Sequence, residues 1–97
     1  MGRSTEIGVA CERHDSDWLC VVDLRDADGP TSHHRVTVAA DVLARLAPGT
    51  PDPEDLVHRS FEFLLAREPK ESILAAFDLT LIGHYFPEYE RTIGRRR

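Results

Sequence analysis

The segment FEFLLAREPKESILAAFDLTLIGHYFPEYE, residues 61–90, decides the fold because it contains all four phenylalanines and both tyrosines of the 97-residue chain. Its apolar side chains recur at helical spacing, and prolines divide it into short pieces. Just upstream, Asp52 is suited to cap a helix whose first residue is Pro53. Helices this short need tertiary packing to be stable in water. The predicted helices span about 53–67, 70–77 and 79–85.

The N-terminal half has the alternating apolar pattern of β-strands and offers a surface for these helices. Turn residues at His14–Asp17 and Asp28–Pro30 separate three such segments. The expected fold class is therefore α+β, with a three-stranded antiparallel β-meander followed by a C-terminal set of three to four short helices packed on the sheet. We expect one domain over residues 1–97 and a disordered tail at 94–97. Strands are predicted at about 6–12, 18–25 and 33–38, and a first helix at about 39–46.

The register of the first hairpin follows from side-chain parity, because a slip of one residue would turn apolar groups away from the core. A loop at His14–Asp17 places Cys11 directly opposite Cys20, so that the two sulfurs are neighbours on a buried face. We interpret them as a pair of reduced thiols, with a disulfide or a redox switch as the alternative, because burial alone explains both cysteines. The same register pairs Ile7 with Leu24 and Val9 with Val22.

Side-chain parity also predicts the register of the second hairpin, in which Val36 would lie opposite Val22 and Val38 opposite Cys20. All of these side chains would face the helices and contribute to one core. The predicted core consists of Val9, Trp18, Cys20, Val22, Val36, Val38, Leu43, Phe61, Leu64, Leu65, Ile73, Leu74, Phe77, Ile82 and Phe86.

The net charge and the lengths of the apolar runs limit the classes of partner that this protein is expected to bind. A net charge of −5 gives no general attraction to nucleic acid or to anionic membranes. The exception is the local basic end formed by Arg95, Arg96 and Arg97, which is a candidate phosphate contact. No apolar run approaches the length of a membrane-spanning helix, and the N-terminus lacks the apolar core of a signal peptide. We therefore expect a cytoplasmic protein with no membrane partner.

The five histidines and two cysteines raise the hypothesis of a metal site. His34 could join Cys11 and Cys20 on the inward sheet face, and His58 lies one helical turn from Glu62, but neither set has enough ligands nearby. The chain also lacks a phosphate-binding glycine loop and a nucleophile fixed beside a base. We therefore expect no catalytic residue, cofactor or metal, and a small metal-binding protein or enzyme ranks third.

Nucleic-acid binding is the alternative function. Helices within residues 72–86 could form a helix-turn-helix, but the second of them has almost no basic or amide side chain with which to contact bases or phosphates. A nucleic-acid-associated regulator would therefore have to use Arg95, Arg96 and Arg97.

A protein-interaction role fits the sequence best. Leu19 and Val21 fall on the sheet face opposite the predicted core, with Arg35 and Thr37 beside them. Unless a helix such as 39–46 covers that face, the two aliphatic side chains form an exposed apolar strip that favours association with another protein surface. A small sheet also has edges that can pair with another copy. We therefore expect a non-enzymatic interaction or regulatory module, self-associating as a homodimer through this face or an edge strand.

The C-terminal part of the chain resembles a small uncharacterised bacterial domain family. The likeness lies in residues 60–69, 72–74, 77–79 and 85–89, which read SFEFLLAREP, SIL, FDL and YFPEY. The resemblance implies a stand-alone bacterial protein and assigns no catalytic residue and no cofactor.

Overall fold

The computed structural model describes residues 5–27, 29–49 and 52–94. It confirms the α+β class, but the sheet is mixed and has four strands in the order β1-β2-β3-β4. A short 3-10 helix at Lys70–Ser72 precedes the fourth strand. The strands are β1 (Thr5–His14), β2 (Asp17–Asp26), β3 (Thr31–Val38) and β4 (Ala76–Asp78), and the helices are α1 (Ala40–Leu46), α2 (Pro53–Leu65), α3 (Leu81–Tyr85) and α4 (Tyr89–Gly94).

The first hairpin has the predicted register. β1 and β2 are antiparallel, with Val9 opposite Val22 and Cys11 opposite Cys20. Asp15 occupies the turn with a φ of 59°, a left-handed conformation that aspartate tolerates better than most residues. The alternation of apolar and polar residues was thus sufficient to align these two strands.

Cys11 and Cys20 form a disulfide, so the interpretation of reduced thiols was wrong. The backbone N–H of Cys11 donates to Glu54 Oε2 at 3.1 Å and therefore points away from β2. Opposed residues whose amides point outward form the non-hydrogen-bonded pairs of an antiparallel ladder, in which side chains approach most closely. Parity predicted this proximity, but a buried position is equally compatible with two thiols and with a disulfide, so burial did not determine the oxidation state.

The second hairpin is shifted by two residues from the prediction. Val22 lies opposite His34, Cys20 opposite Val36, and Trp18 opposite Val38. β3 begins at Thr31, so the connection from β2 is shorter than expected. A shift of two residues preserves parity, and the predicted side chains therefore still face the core.

The predicted helix at 70–77 is replaced by the 3-10 helix and β4, which pairs in parallel with β3. The Arg35 N–H donates to the Ala75 carbonyl at 2.8 Å, and the Leu79 N–H donates to the Thr37 carbonyl at 2.9 Å. Pairing with β4 thus provides partners for the outward backbone groups of Arg35 and Thr37 on this edge of β3. The half-buried Phe77 and buried Leu79 flank an exposed Asp78, which is the period of a strand.

The helices cover one face of the sheet. Asp52 caps α2 as predicted, accepting hydrogen bonds from the backbone amides of Glu54 and Asp55. α2 ends at Leu65, two residues before the predicted limit, and α3 begins at Leu81 rather than 79. Between the helices and the sheet lie the buried apolar residues Cys20, Val22, Leu24, Val36, Val38, Val42, Leu43, Leu46, Ala47, Leu56, Val57, Phe61, Phe63, Leu64, Ile73, Leu79, Ile82, Tyr89 and Ile93.

Some core assignments differ from the prediction. Leu74 is 49% exposed, because the chain there is extended and not helical. Val9, Trp18, Leu65, Phe77 and Phe86 are only partly buried and pack around the core.

Tyr89, which was not assigned to the core, is fully buried. Its hydroxyl lies 2.6 Å from Ser60 Oγ, which itself donates to the Leu56 carbonyl at 2.8 Å. Because the serine has one proton, Tyr89 is the donor to Ser60. The hydrogen bond from the Tyr89 hydroxyl to the buried Ser60 hydroxyl fixes α4 against α2.

Reducing the disulfide should lower the free energy of unfolding by about 2–3 kcal/mol, because the bond limits the freedom of the unfolded chain. Urea unfolding of the oxidised and reduced protein measures this difference with identical side chains in both samples. The control variant Cys11→Ala/Cys20→Ala should be equally stable with and without reductant. Two titratable thiols in the denatured, unreduced protein would contradict the assignment.

Burial raises the pKa of Tyr89 to about 12, from an ordinary value of 10.0. The folded state then holds this proton more tightly than the unfolded state. The associated stability is fully present below pH 10 and is lost as the pH rises towards 12. Within this window the free energy of unfolding should fall by about 1.4 kcal/mol per pH unit more than in Tyr89→Phe.

Urea titrations of the natural protein and Tyr89→Phe at several alkaline pH values test this difference. The variant keeps the ring, and Ser60 keeps its bond to the Leu56 carbonyl. The pKa of Lys70 is also raised, mainly by its hydrogen bond to Asp26, but that contribution is common to both proteins. Equal pH slopes for the two proteins would show that Tyr89 does not titrate as expected.

Candidate binding surfaces

The predicted interaction residues Leu19, Val21, Arg35 and Thr37 lie together on the sheet face opposite the helices. Leu19 is directly opposite Thr37, and Val21 is directly opposite Arg35. Val21 is 43% exposed and Leu19 is half-buried. We call this surface the outer face. It comprises Glu6, Gly8, Ala10, Glu12, His14, Asp17, Leu19, Val21, Asp23, Arg25, Thr31, His33, Arg35, Thr37, Ala76 and Asp78, none of which is buried.

Charges surround the aliphatic centre of the outer face. Asp23 and His33 are bonded at 2.6 Å, and Arg25 lies 3.9 Å from Glu6. Exposed pairs of this kind contribute little to the stability of the fold. Arg35, beside Val21, forms no ion pair among the described residues. The outer face therefore presents an apolar centre with acidic and basic side chains around it.

A second candidate is a groove at the far end of the helical layer, bounded by the end of α2, the loop that follows it, β4 and α3. We call it the apolar groove. Its volume is about 380 Å³. Leu64, Ile73 and Ile82 are buried in its wall, whereas Leu74 and Tyr85 are exposed. The full lining is Leu64, Glu68, Ser72, Ile73, Leu74, Phe77, Leu81, Ile82, Tyr85 and Phe86.

Two buried polar residues hold the loop beside the groove against the sheet. His34 Nδ1 lies 2.7 Å from the Leu74 carbonyl, which can only accept, so that nitrogen carries the proton. His34 Nε2 lies 2.9 Å from Ser32 Oγ. Lys70 is buried and pairs with Asp26 at 3.1 Å. The pKa of Lys70 is raised by this hydrogen bond, against the opposing effect of burial.

The Ser32–His34 contact has the hydrogen-bond order of a serine nucleophile and its base. Ser32 is, however, not part of the apolar groove lining, and the contact joins neighbours on the same face of one strand. We therefore assign the pair to the anchoring of the loop.

The metal hypotheses find little support in the positions of their residues. Cys11 and Cys20 are bonded to each other, so they cannot serve with His34 as thiolate ligands. His58 and Glu62 are 3.7 Å apart on exposed helix surface. Within the described ranges, no three His, Cys, Asp or Glu side chains are grouped closely enough to hold a metal ion.

The residues proposed for nucleic-acid binding are not brought together. Arg95, Arg96 and Arg97 lie outside the described residues. β4 interrupts the segment 72–86, so this segment does not form a helix-turn-helix. Leu79 and Ile82, in what would have been the recognition helix, are buried in the core.

Sequence reasoning found the outer face but missed the apolar groove. The groove depends on the strand Ala76–Asp78, whereas the sequence pattern predicts a helix that continues to residue 77. The alternation of Phe77, Asp78 and Leu79 was the available signal, but it is too short to outweigh the helical spacing of Ile73 and Phe77.

None of the helices in the described ranges is both long and apolar enough to cross a membrane. Comparisons of the chain with family models, with curated proteins and with solved structures found no significant match in any of the three.

Proposed function

We propose that this protein is a non-enzymatic interaction module that self-associates through the outer face of its sheet. The observation that carries the proposal is Val21, an aliphatic side chain that remains 43% exposed at the centre of a face without helices. Leu19 lies beside it on the same strand and face. Exposed apolar groups at the centre of a polar rim are typical of association surfaces.

The charge pattern supports a second copy as the partner. On the outer face, β1 contributes the carboxylates of Glu6 and Glu12, whereas β3 contributes the guanidinium of Arg35. A two-fold axis lying along β2 between two facing sheets would place β1 of each copy over β3 of the other. Arg35 is level with Ala10 and Glu12 is level with Thr37, so Arg35 of one copy would lie diagonally across from Glu12 of the other, and Val21 would face its own counterpart. Such self-complementarity is what an isologous interface requires.

The small residues on both sides of the aliphatic centre fit the same arrangement. Ala10 is the β1 neighbour of Val21, and Ala76 is the β4 neighbour of Arg35. Gly8, which has no side chain, extends this run of small residues along β1. Facing sheets pack about 10 Å apart, so short side chains at the flanks allow the centre of each sheet to make contact.

Light scattering over a concentration series tests the proposal. The natural protein should form a dimer, and Leu19→Lys/Val21→Lys should be a folded monomer because four lysines would then meet in the interface. Leu74→Lys is the control, since it places a lysine on an exposed leucine outside the outer face. A natural protein that stays monomeric, or a dimer that the double variant leaves intact, would contradict the proposal.

Charge reversal tests the orientation of the two copies. Arg35→Glu and Glu12→Arg should each raise the dimer Kd by about tenfold, because each places like charges across the interface. Combined in one chain, the two changes should recover most of the lost affinity. If both single variants weaken the dimer and the double variant is weaker still, the two-fold arrangement along β2 is wrong.

A further inference from the structure

We propose that the apolar groove binds a small amphiphilic cation, with an apolar body against the groove wall and an ammonium group at Glu68. This site goes beyond the proposed self-association, because it lies in the helical layer and shares no residue with the outer face. The two proposals can therefore fail separately.

The dimensions of the groove suit a small molecule. Its volume of about 380 Å³ lies near the lower end of the range for pockets that hold small ligands. The buried side chains of Leu64, Ile73 and Ile82 form an apolar wall. Leu74 and Tyr85 are exposed, and an apolar ligand in the groove would remove part of their surface from water.

Glu68 gives the groove its preference for a cation. Among the described residues of the lining it is the one formally charged side chain, and it forms no ion pair with any of them or with the rest of the described chain. The cations nearest to it in sequence are engaged elsewhere. Arg67 binds Glu88 at 3.2 Å and lies over the Phe63 ring at 3.6 Å, and Lys70 pairs with Asp26 at 3.1 Å.

The aromatic lining strengthens the same preference. Phe77, Tyr85 and Phe86 all contribute to the groove. The face of an aromatic ring carries partial negative charge and attracts ammonium groups, whereas it repels carboxylates. An apolar cleft with one carboxylate and several rings is therefore suited to an amine and not to a fatty acid.

Three probes with the same alkyl chain separate charge from apolar contact: octylammonium, octanol and octanoate, followed by amide NMR spectra during titration. Octylammonium should shift the signals of groove residues and bind about fivefold more tightly than octanol. Octanoate should bind more weakly than octanol. In Glu68→Gln the advantage of the cation over the alcohol should disappear.

Two control variants complete the test. Glu62→Gln removes the same charge from α2 outside the groove and should retain the preference for octylammonium. Ser72→Trp places a large side chain at an exposed lining position and should weaken all three probes, with thermal unfolding verifying that each variant is folded.

Several outcomes would overturn the proposal. These are no binding at millimolar probe, equal binding of all three probes, or a preference for the cation that survives in Glu68→Gln. Groove signals that shift with protein concentration alone would assign the site to a second copy. Binding of a short leucine-lysine peptide without binding of octylammonium would assign it to a protein partner.

Discussion

Burial of the inward-facing side chains of β2 and β3 is the interaction on which the rest of this structure depends. Cys20, Val22, Leu24, Val36 and Val38 are all removed from water, and each fully buried aliphatic side chain contributes about 1.5–3 kcal/mol of transfer free energy. None of the helices could be stable alone, so they pack on this surface. Because they cover only one face, the opposite face remains in contact with solvent.

The sequence was informative where one face of an element is buried and the other is not. Alternation aligned Cys11 with Cys20 and placed Val21 on the sheet face opposite the core, but it did not decide whether a helix covers that face. It could not distinguish register shifts of two residues, which leave parity unchanged, and so it misplaced Val36. It also could not identify β4, because a three-residue strand is specified by the free backbone groups of its neighbour and not by its own side chains.

The two candidate surfaces arise from different parts of this arrangement. The outer face exists because the helices are on one side of the sheet. The apolar groove exists because β4 pairs with the edge of β3. His34 and Lys70 hold the loop that precedes β4 against the sheet. One surface has an aliphatic centre surrounded by charges of both signs, and the other has an apolar wall with a single carboxylate among its described residues. Their chemistry predicts partners of different kinds, and neither requires the other to be occupied.

The most direct test of the central claim is the solvent accessibility of individual valine methyl groups, measured with a soluble paramagnetic agent at low and at high protein concentration. The account predicts that the methyl signals of Val21 relax strongly at low concentration and become protected at high concentration. Those of Val22 and Val36 should be protected at both. Relaxation of Val21 that does not change with concentration, or relaxation of Val22 equal to that of Val21, would contradict the account.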